Sequence, residues 1–151
     1  MNDVKIYIKS ILIPVVIGFI IGLITNSSID YTIINRPKIS PPGWIFPVVW
    51  TILYILMGIS YGLLIENKKN DLKTKSIYIA QLFLNYSWSI IFFTLKLRFL
   101  AIICIILLLI SIIIMIAIFF KRNKMSGILQ IPYLLWCLFA TYLTISIYLL
   151  N

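Results

Sequence analysis

Charge is what this sequence most conspicuously lacks. Only 11% of its 151 residues are charged, while 62% are hydrophobic and the mean hydropathy is +1.09. A water-soluble domain carries roughly a quarter charged residues, so there is too little polar surface here to coat a globule in water. The solvent implied is lipid. Acids are scarcer still: Asp3, Asp30, Glu66 and Asp71 are the whole set, all at the ends of apolar runs or between them. A proton-coupled exporter would want a carboxylate at mid-membrane depth, and that class is disfavoured. Histidine is absent, which removes the usual axial ligand for haem and any Ser-His-Asp arrangement. The two cysteines, Cys104 and Cys137, lie deep in apolar runs without CxxC spacing. They read as small packing residues rather than as a disulfide or a metal site.

What is present is length of apolar chain. Uncharged runs cover 10–29, 39–65, 76–95, 99–120 and 125–151, and each meets the roughly 20 residues that a helix needs to cross a bilayer. Nothing alternates with the period of a barrel strand. The fold expected is an all-α membrane protein, a single domain over 1–151 built as a five-transmembrane-helix bundle. Its spans fall at about 6–25, 44–65, 76–95, 99–120 and 127–149, with one long loop at 26–43. The first run is too long for the apolar core of a signal peptide and lacks a small-residue cleavage site, so it reads as a retained span.

Thirteen basic residues against four acids give a net charge of +9. They sit in the connections, which argues against a nucleic-acid face. Lys5, Lys9, Lys68, Lys69, Lys73, Lys75, Lys121, Arg122 and Lys124 fall on one side of the membrane; Arg36, Lys38, Lys96 and Arg98 fall on the other. The positive-inside rule then expects a multi-pass protein of the cytoplasmic membrane with its N-terminus in the cytoplasm and its C-terminus outside. The Ile-, Lys- and Asn-rich composition suits a bacterium.

Two GxxxG motifs, Gly18–Gly22 and Gly58–Gly62, allow helix backbones to approach closely. Packing within one bundle is the preferred reading, and a homodimer with a second copy of the chain is the other. Pro41, Pro42 and Gly43 stiffen the approach to the second span. Pro47 and Pro132 fall further in, where a missing N–H predicts bends.

Three helical stripes carry tryptophan. Trp50, Tyr54, Met57 and Tyr61 recur at +4, +3, +4; so, in kind, do Gln81, Asn85, Trp88 and Phe92, and Leu129, Pro132, Trp136, Ala140 and Leu143. Such spacing places each set on one helix face. Trp44 and Tyr148, near span ends, suit interfacial anchoring. Mid-span indoles and buried amides instead mark an interior face or cavity. Flat apolar walls with a few orienting polar atoms are the form of a site for a planar hydrophobic ligand; plain core packing is the competing reading.

The blocks RPKISPPGWIFPVVWTILYILMG (36–58), QLFLNYSWSIIFF (81–93) and PYLLWCLFATYL (132–143), in this order on a five-span chain, resemble the TspO/MBR family of tryptophan-rich sensory proteins, translocator proteins and peripheral-type benzodiazepine receptors. The resemblance covers essentially the whole chain. It implies a pocket beneath the first loop that takes porphyrins and other tetrapyrroles, and benzodiazepine- or isoquinoline-type ligands. Carried over by motif, Tyr31, Pro41, Trp50, Asn85, Trp88, Trp136 and Ala140 would line it. Trp50 and Trp136 match tryptophans linked in some members to light- and oxygen-dependent degradation of protoporphyrin IX. No cofactor is required on this reading: protoporphyrin IX or a related tetrapyrrole is the ligand, and a porphyrin transporter is a further alternative. The C-terminal end departs from the family. Thr144 stands where many members have Asn, and no basic residue follows Lys124, so the C-terminal sterol motif is missing.

Overall fold

A computed structural model describes residues 3–26, 37–38 and 42–151. Helix α1 spans Asp3–Asn26, α2 Ile45–Glu66, α3 Leu72–Ser89, α4 Arg98–Arg122, α5 Lys124–Ile128 and α6 Ile131–Leu150. A π-helical turn, Ile90–Thr94, prolongs α3. Five segments are long and apolar enough to cross a membrane, with α5 and α6 together making the fifth.

Local signals explain the boundaries. Asp71 caps α3 by accepting from the Thr74 N–H at 3.2 Å, and Asn123 caps α5 by accepting from Ser126 at 3.2 Å, the side-chain types that best satisfy orphan N–H groups. At the end of α2, Lys68 adopts a left-handed φ of 57°. That turn lets Lys69 donate back to the Leu64 carbonyl at 2.8 Å and closes the helix. The first span begins earlier than expected, at Asp3, and takes Lys5 into the helix.

Neither proline lies in a helix interior, where the expected bends would arise. Pro47 lies in the first turn of α2, where its missing N–H costs nothing. Near Pro132 the chain breaks outright: a turn at Leu129–Gln130 separates α5 from α6, and the proline falls in the first turn of the new helix.

The helices close into a ring in the order α1, α2, α6, α4, α3. The pairs α1–α2, α3–α4 and α4–α6 pack closely, and α1 also touches α3 and the π turn. The α2 and α6 backbones stay apart, as do α2 and α3. At one end α2 is pinned to α5 by a reciprocal pair: Ser60 Oγ donates to the Ser126 carbonyl at 2.7 Å, and Ser126 Oγ to the Ser60 carbonyl at 2.9 Å.

The glycine motifs act inside the chain. A Cβ at Gly58 would fall 2.5 Å from the Ile11 Cα and 2.6 Å from the Ser10 carbonyl oxygen. Pro14 lies in α1 and cannot donate to that carbonyl four residues back, so the Ser10 oxygen turns to the bare α-carbon of α2 instead. Gly62 and Gly18 face Tyr7 and Tyr54, while Gly22 meets no neighbour. The α1 residues Val4, Ile8, Leu12 and Phe19 are exposed, as lipid-facing apolar positions should be.

Candidate ligand pocket

Because α2 keeps its distance from α3 and α6, side chains must fill the space between them, and nearly all are aromatic. They form three levels. At the level nearest the first loop, the Trp50 ring lies 6.3 Å from Trp88 and 6.4 Å from Trp136, in tilted and edge-on geometry. Phe46 and Phe139 border Trp136 at 5.8 and 5.5 Å, and Phe92 stacks on Trp88 at 5.4 Å. The π turn after Trp88 carries Phe92 and Phe93 into this group.

One turn deeper lies a polar chain. The Tyr54 hydroxyl donates to Asn85 Oδ1 at 2.6 Å, Asn85 Nδ2 donates to the Tyr133 hydroxyl at 2.9 Å, and that hydroxyl donates to Gln81 Oε1 at 2.7 Å. Three helices are thereby tied through hydrogen bonds that water does not reach: Asn85 and Gln81 are wholly buried and Tyr133 almost so. Trp50 lies above, stacked on Tyr54 at 5.8 Å and edge-on to Tyr133 at 6.3 Å. Below the chain, Tyr61 and Tyr78 stack face to face at 4.4 Å beside Phe119.

Among the described residues, two indole N–H groups in this cluster, Trp88 Nε1 and Trp136 Nε1, are buried and have no hydrogen-bond partner. A buried indole N–H ordinarily finds one. On the outer side of Trp136 the loose α2–α6 seam forms an apolar cleft of about 400 Å³, lined by Val49, Ile52, Leu53, Leu56, Pro132, Leu135 and Trp136. That size lies within the range of small-molecule sites, about 300–1,000 Å³.

The stripes read from spacing fare unequally. On α3, Gln81, Asn85, Trp88 and Phe92 are all buried, and on α2, Tyr54 and Met57 are buried with Trp50 and Tyr61 at the edges. On α6 the inward face is Tyr133, Cys137, Ala140, Leu143, Thr144 and Ile147. Ala140 and Leu143 of the expected stripe are thus buried, whereas Pro132 is exposed and Trp136 lies toward the α2 seam. At that end of the helix the next residues along, Tyr133 and Cys137, take the interior instead. Trp50, Asn85, Trp88 and Trp136 thus come together, and Ala140 lies buried one turn beyond Trp136. Tyr31 and Pro41 lie outside the described residues. Trp44 is 68% exposed and stands apart from the cluster.

Tyr133 and Gln130 were missed by the stripe argument. The signal for Gln130 was available: a lone amide in an apolar span is as informative there as Gln81 and Asn85 were in the third.

Away from the pocket, Tyr7 donates to Glu66 and Arg122 pairs with Asp71 at 2.9 Å. These bonds gather the N-terminus of α1, the α2–α3 turn and the end of α4, with their lysines, at one end of the bundle. The hydrogen bond from Arg122 holds the Asp71 carboxyl below the ordinary carboxylate range, assisted by the Thr74 N–H.

Comparison with known proteins agrees with this architecture. The chain is 40% identical to the tryptophan-rich protein TspO of Archaeoglobus fulgidus, over 100% of this chain and 99% of that one. It is 33% identical to protein CrtK of Rhodobacter capsulatus, covering 86% and 83% of the two chains, and 31% identical to a translocator protein homolog of Schizosaccharomyces pombe, covering 93% and 88%. The TspO/MBR family profile matches residues 10–150. The chain belongs to the TspO/MBR family.

Proposed function

We propose that this protein is a receptor-like membrane protein that binds a planar tetrapyrrole, or a flat drug-like molecule of the benzodiazepine or isoquinoline kind, among Trp50, Trp88 and Trp136. One observation carries the reading: three indoles from separate helices converge, and two of them hold unpartnered buried N–H groups. A porphyrin offers a broad π face for the rings and carboxylate or carbonyl oxygens for those donors. The guest enters by displacing Trp50, the ring that touches both other indoles, toward the apolar cleft beside Trp136. Tyr54, Asn85, Tyr133 and Gln81 form a pre-bonded floor beneath it, with Ala140 at the margin; the family motif adds Tyr31 and Pro41 to the residues that meet the guest. The lysine-rich end faces the cytoplasm of a bacterium, where anionic lipid and the positive-inside bias favour it.

A second reading, light- and oxygen-dependent breakdown of protoporphyrin IX, is favoured by the contact of Trp50 with Trp136. Both indoles would touch the pigment, and an indole can give an electron to an excited porphyrin while molecular oxygen serves as the oxidant.

Titration with protoporphyrin IX in the dark, followed by the shift of its main absorption band, tests binding. Trp136→Ala and Trp88→Ala should weaken it about tenfold or more, equivalent to about 1.4 kcal/mol, while Trp44→Ala leaves it unchanged. Equal losses in all three would place the guest elsewhere. Illuminating the same samples in air tests the second reading: wild type and Trp50→Phe/Trp136→Phe protein bleaching the pigment at one rate, to the same products, would remove it.

A further inference from the structure

The polar chain under the indoles stops abruptly. Tyr133 donates to Gln81 Oε1, yet the amide nitrogen on the same side chain, Gln81 Nε2, has no partner among the described residues. Gln130 is wholly buried as well, with neither Nε2 nor Oε1 bonded, and the buried Tyr78 hydroxyl is likewise unbonded.

Tyr78 and Gln130 share one level of the bundle, adjacent to that of Gln81. Helix α4 runs antiparallel to both α3 and α6, so α3 and α6 run in the same direction. Tyr78 precedes Gln81 by three residues, and Gln130 precedes Tyr133 by three. Since Gln81 and Tyr133 are bonded to each other, Tyr78 and Gln130 both lie about 4.5 Å further toward the lysine-rich end, at 1.5 Å per residue. The stacked Tyr61 ring and Phe119 wall this level on the α2 and α4 sides.

A buried polar atom without a partner is costly. Here two amide nitrogens and a phenol carry five hydrogens, and none of them meets an acceptor among the described residues. No charged side chain was found at this depth among the described residues. The complement required is small, neutral and rich in acceptor lone pairs, and a water with two to four polar partners meets it.

We propose that this level holds a buried water site, with at least one water accepting from Gln81 Nε2 and donating to Gln130 Oε1 or to the Tyr78 hydroxyl. The site extends the chain Tyr54–Asn85–Tyr133–Gln81 to Gln130, the residue at the break between α5 and α6. It thereby ties the floor of the pocket to the joint between the two helices of the fifth span. The proposal does not depend on which guest the pocket takes.

Infrared spectra of the full chain in lipid, in ordinary water and in H2-18-O, test it. A sharp O–H stretching band should move with the isotope and vanish in Gln130→Met, whose circular dichroism should be unchanged. The same variant should melt a few degrees lower, because Gln81 and Tyr78 lose their bridge. A wild type with no isotope-sensitive band would overturn the proposal. So would a band that survives both Gln130→Met and Gln81→Met, or a Gln130→Met protein that melts higher, as expected if a lone amide were removed from a dry core. Should Gln130→Met fail to fold, Tyr78→Phe keeps the ring stack and removes only the hydroxyl. It should shift the band, and an unmoved band would contradict the site.

Discussion

Breaking the bond between Tyr54 and Asn85 offers a quantitative check on the interior. Tyr54→Phe keeps the ring against Trp50 but leaves Asn85 Oδ1 without its donor. Asn85→Leu keeps the volume but leaves the buried Tyr54 hydroxyl with no acceptor and removes one bond from Tyr133, which still donates to Gln81. In water-soluble proteins an orphaned buried group costs about 1–3 kcal/mol. Interhelical hydrogen bonds in membranes measure lower, about 0.6 kcal/mol on average and about 1.7 at most, because the unfolded chain in lipid also finds partners. The membrane value governs here, so each single variant should lose about 0.6–1.7 kcal/mol. The double variant orphans nothing at that joint and should lose about the same, not the sum. A coupling near 1 kcal/mol corresponds to about 2–4 °C in Tm for a chain of this length. Both cysteines are free and buried, so a thiol-reactive fluorophore reports unfolding directly in detergent or nanodiscs. Strictly additive losses would refute the hydrogen bond and the convergence of α2 and α3 that it represents.

Gly58→Leu should drive α1 off α2, since backbone rather than a movable side chain occupies the space a Cβ would need. Overpacking of this kind costs about 1–3 kcal/mol; the same fluorophore assay should show a lower Tm, whereas Gly22→Leu, which meets no neighbour, should show none. At the lysine-rich end, the depressed Asp71 pKa means that the latch to Arg122 contributes stability above the unfolded-state value and loses it as pH falls through the lower folded value. Asp71→Asn can still cap α3 but carries no charge, so its Tm should fall less steeply with acidification; parallel profiles for the two proteins would contradict the latch.

How much of this was legible in the sequence follows from what each signal measures. Hydropathy found all five spans, because the bilayer imposes a length that no soluble core does. The α3 face was read correctly from Gln81, Asn85 and Trp88 because no break disturbs its 3.6-residue phase until the π turn. On the last span the same rule slipped. Pro132 was read as a kink within one helix, but the chain uses it to begin a second. Spacing fixes which residues share a face, not which face looks inward: Tyr133 takes the interior through its bonds with Asn85 and Gln81, and Trp136 lies toward the seam. Partner choice was equally hidden: spacing put Asn85 on the same face as Trp88 but did not reveal that Tyr54 and Tyr133 would take its amide. Among the described residues the indole nitrogens of Trp88 and Trp136 are left without a partner.

The most direct test of the pocket is a structure of the full chain with protoporphyrin IX bound in the dark. The ring should lie between Trp50, Trp88 and Trp136, with Trp50 moved from its stack on Tyr54 and the Tyr54–Asn85–Tyr133–Gln81 chain intact beneath. Pigment found only on the lipid-facing surface, with the indole cluster still closed, would contradict the account.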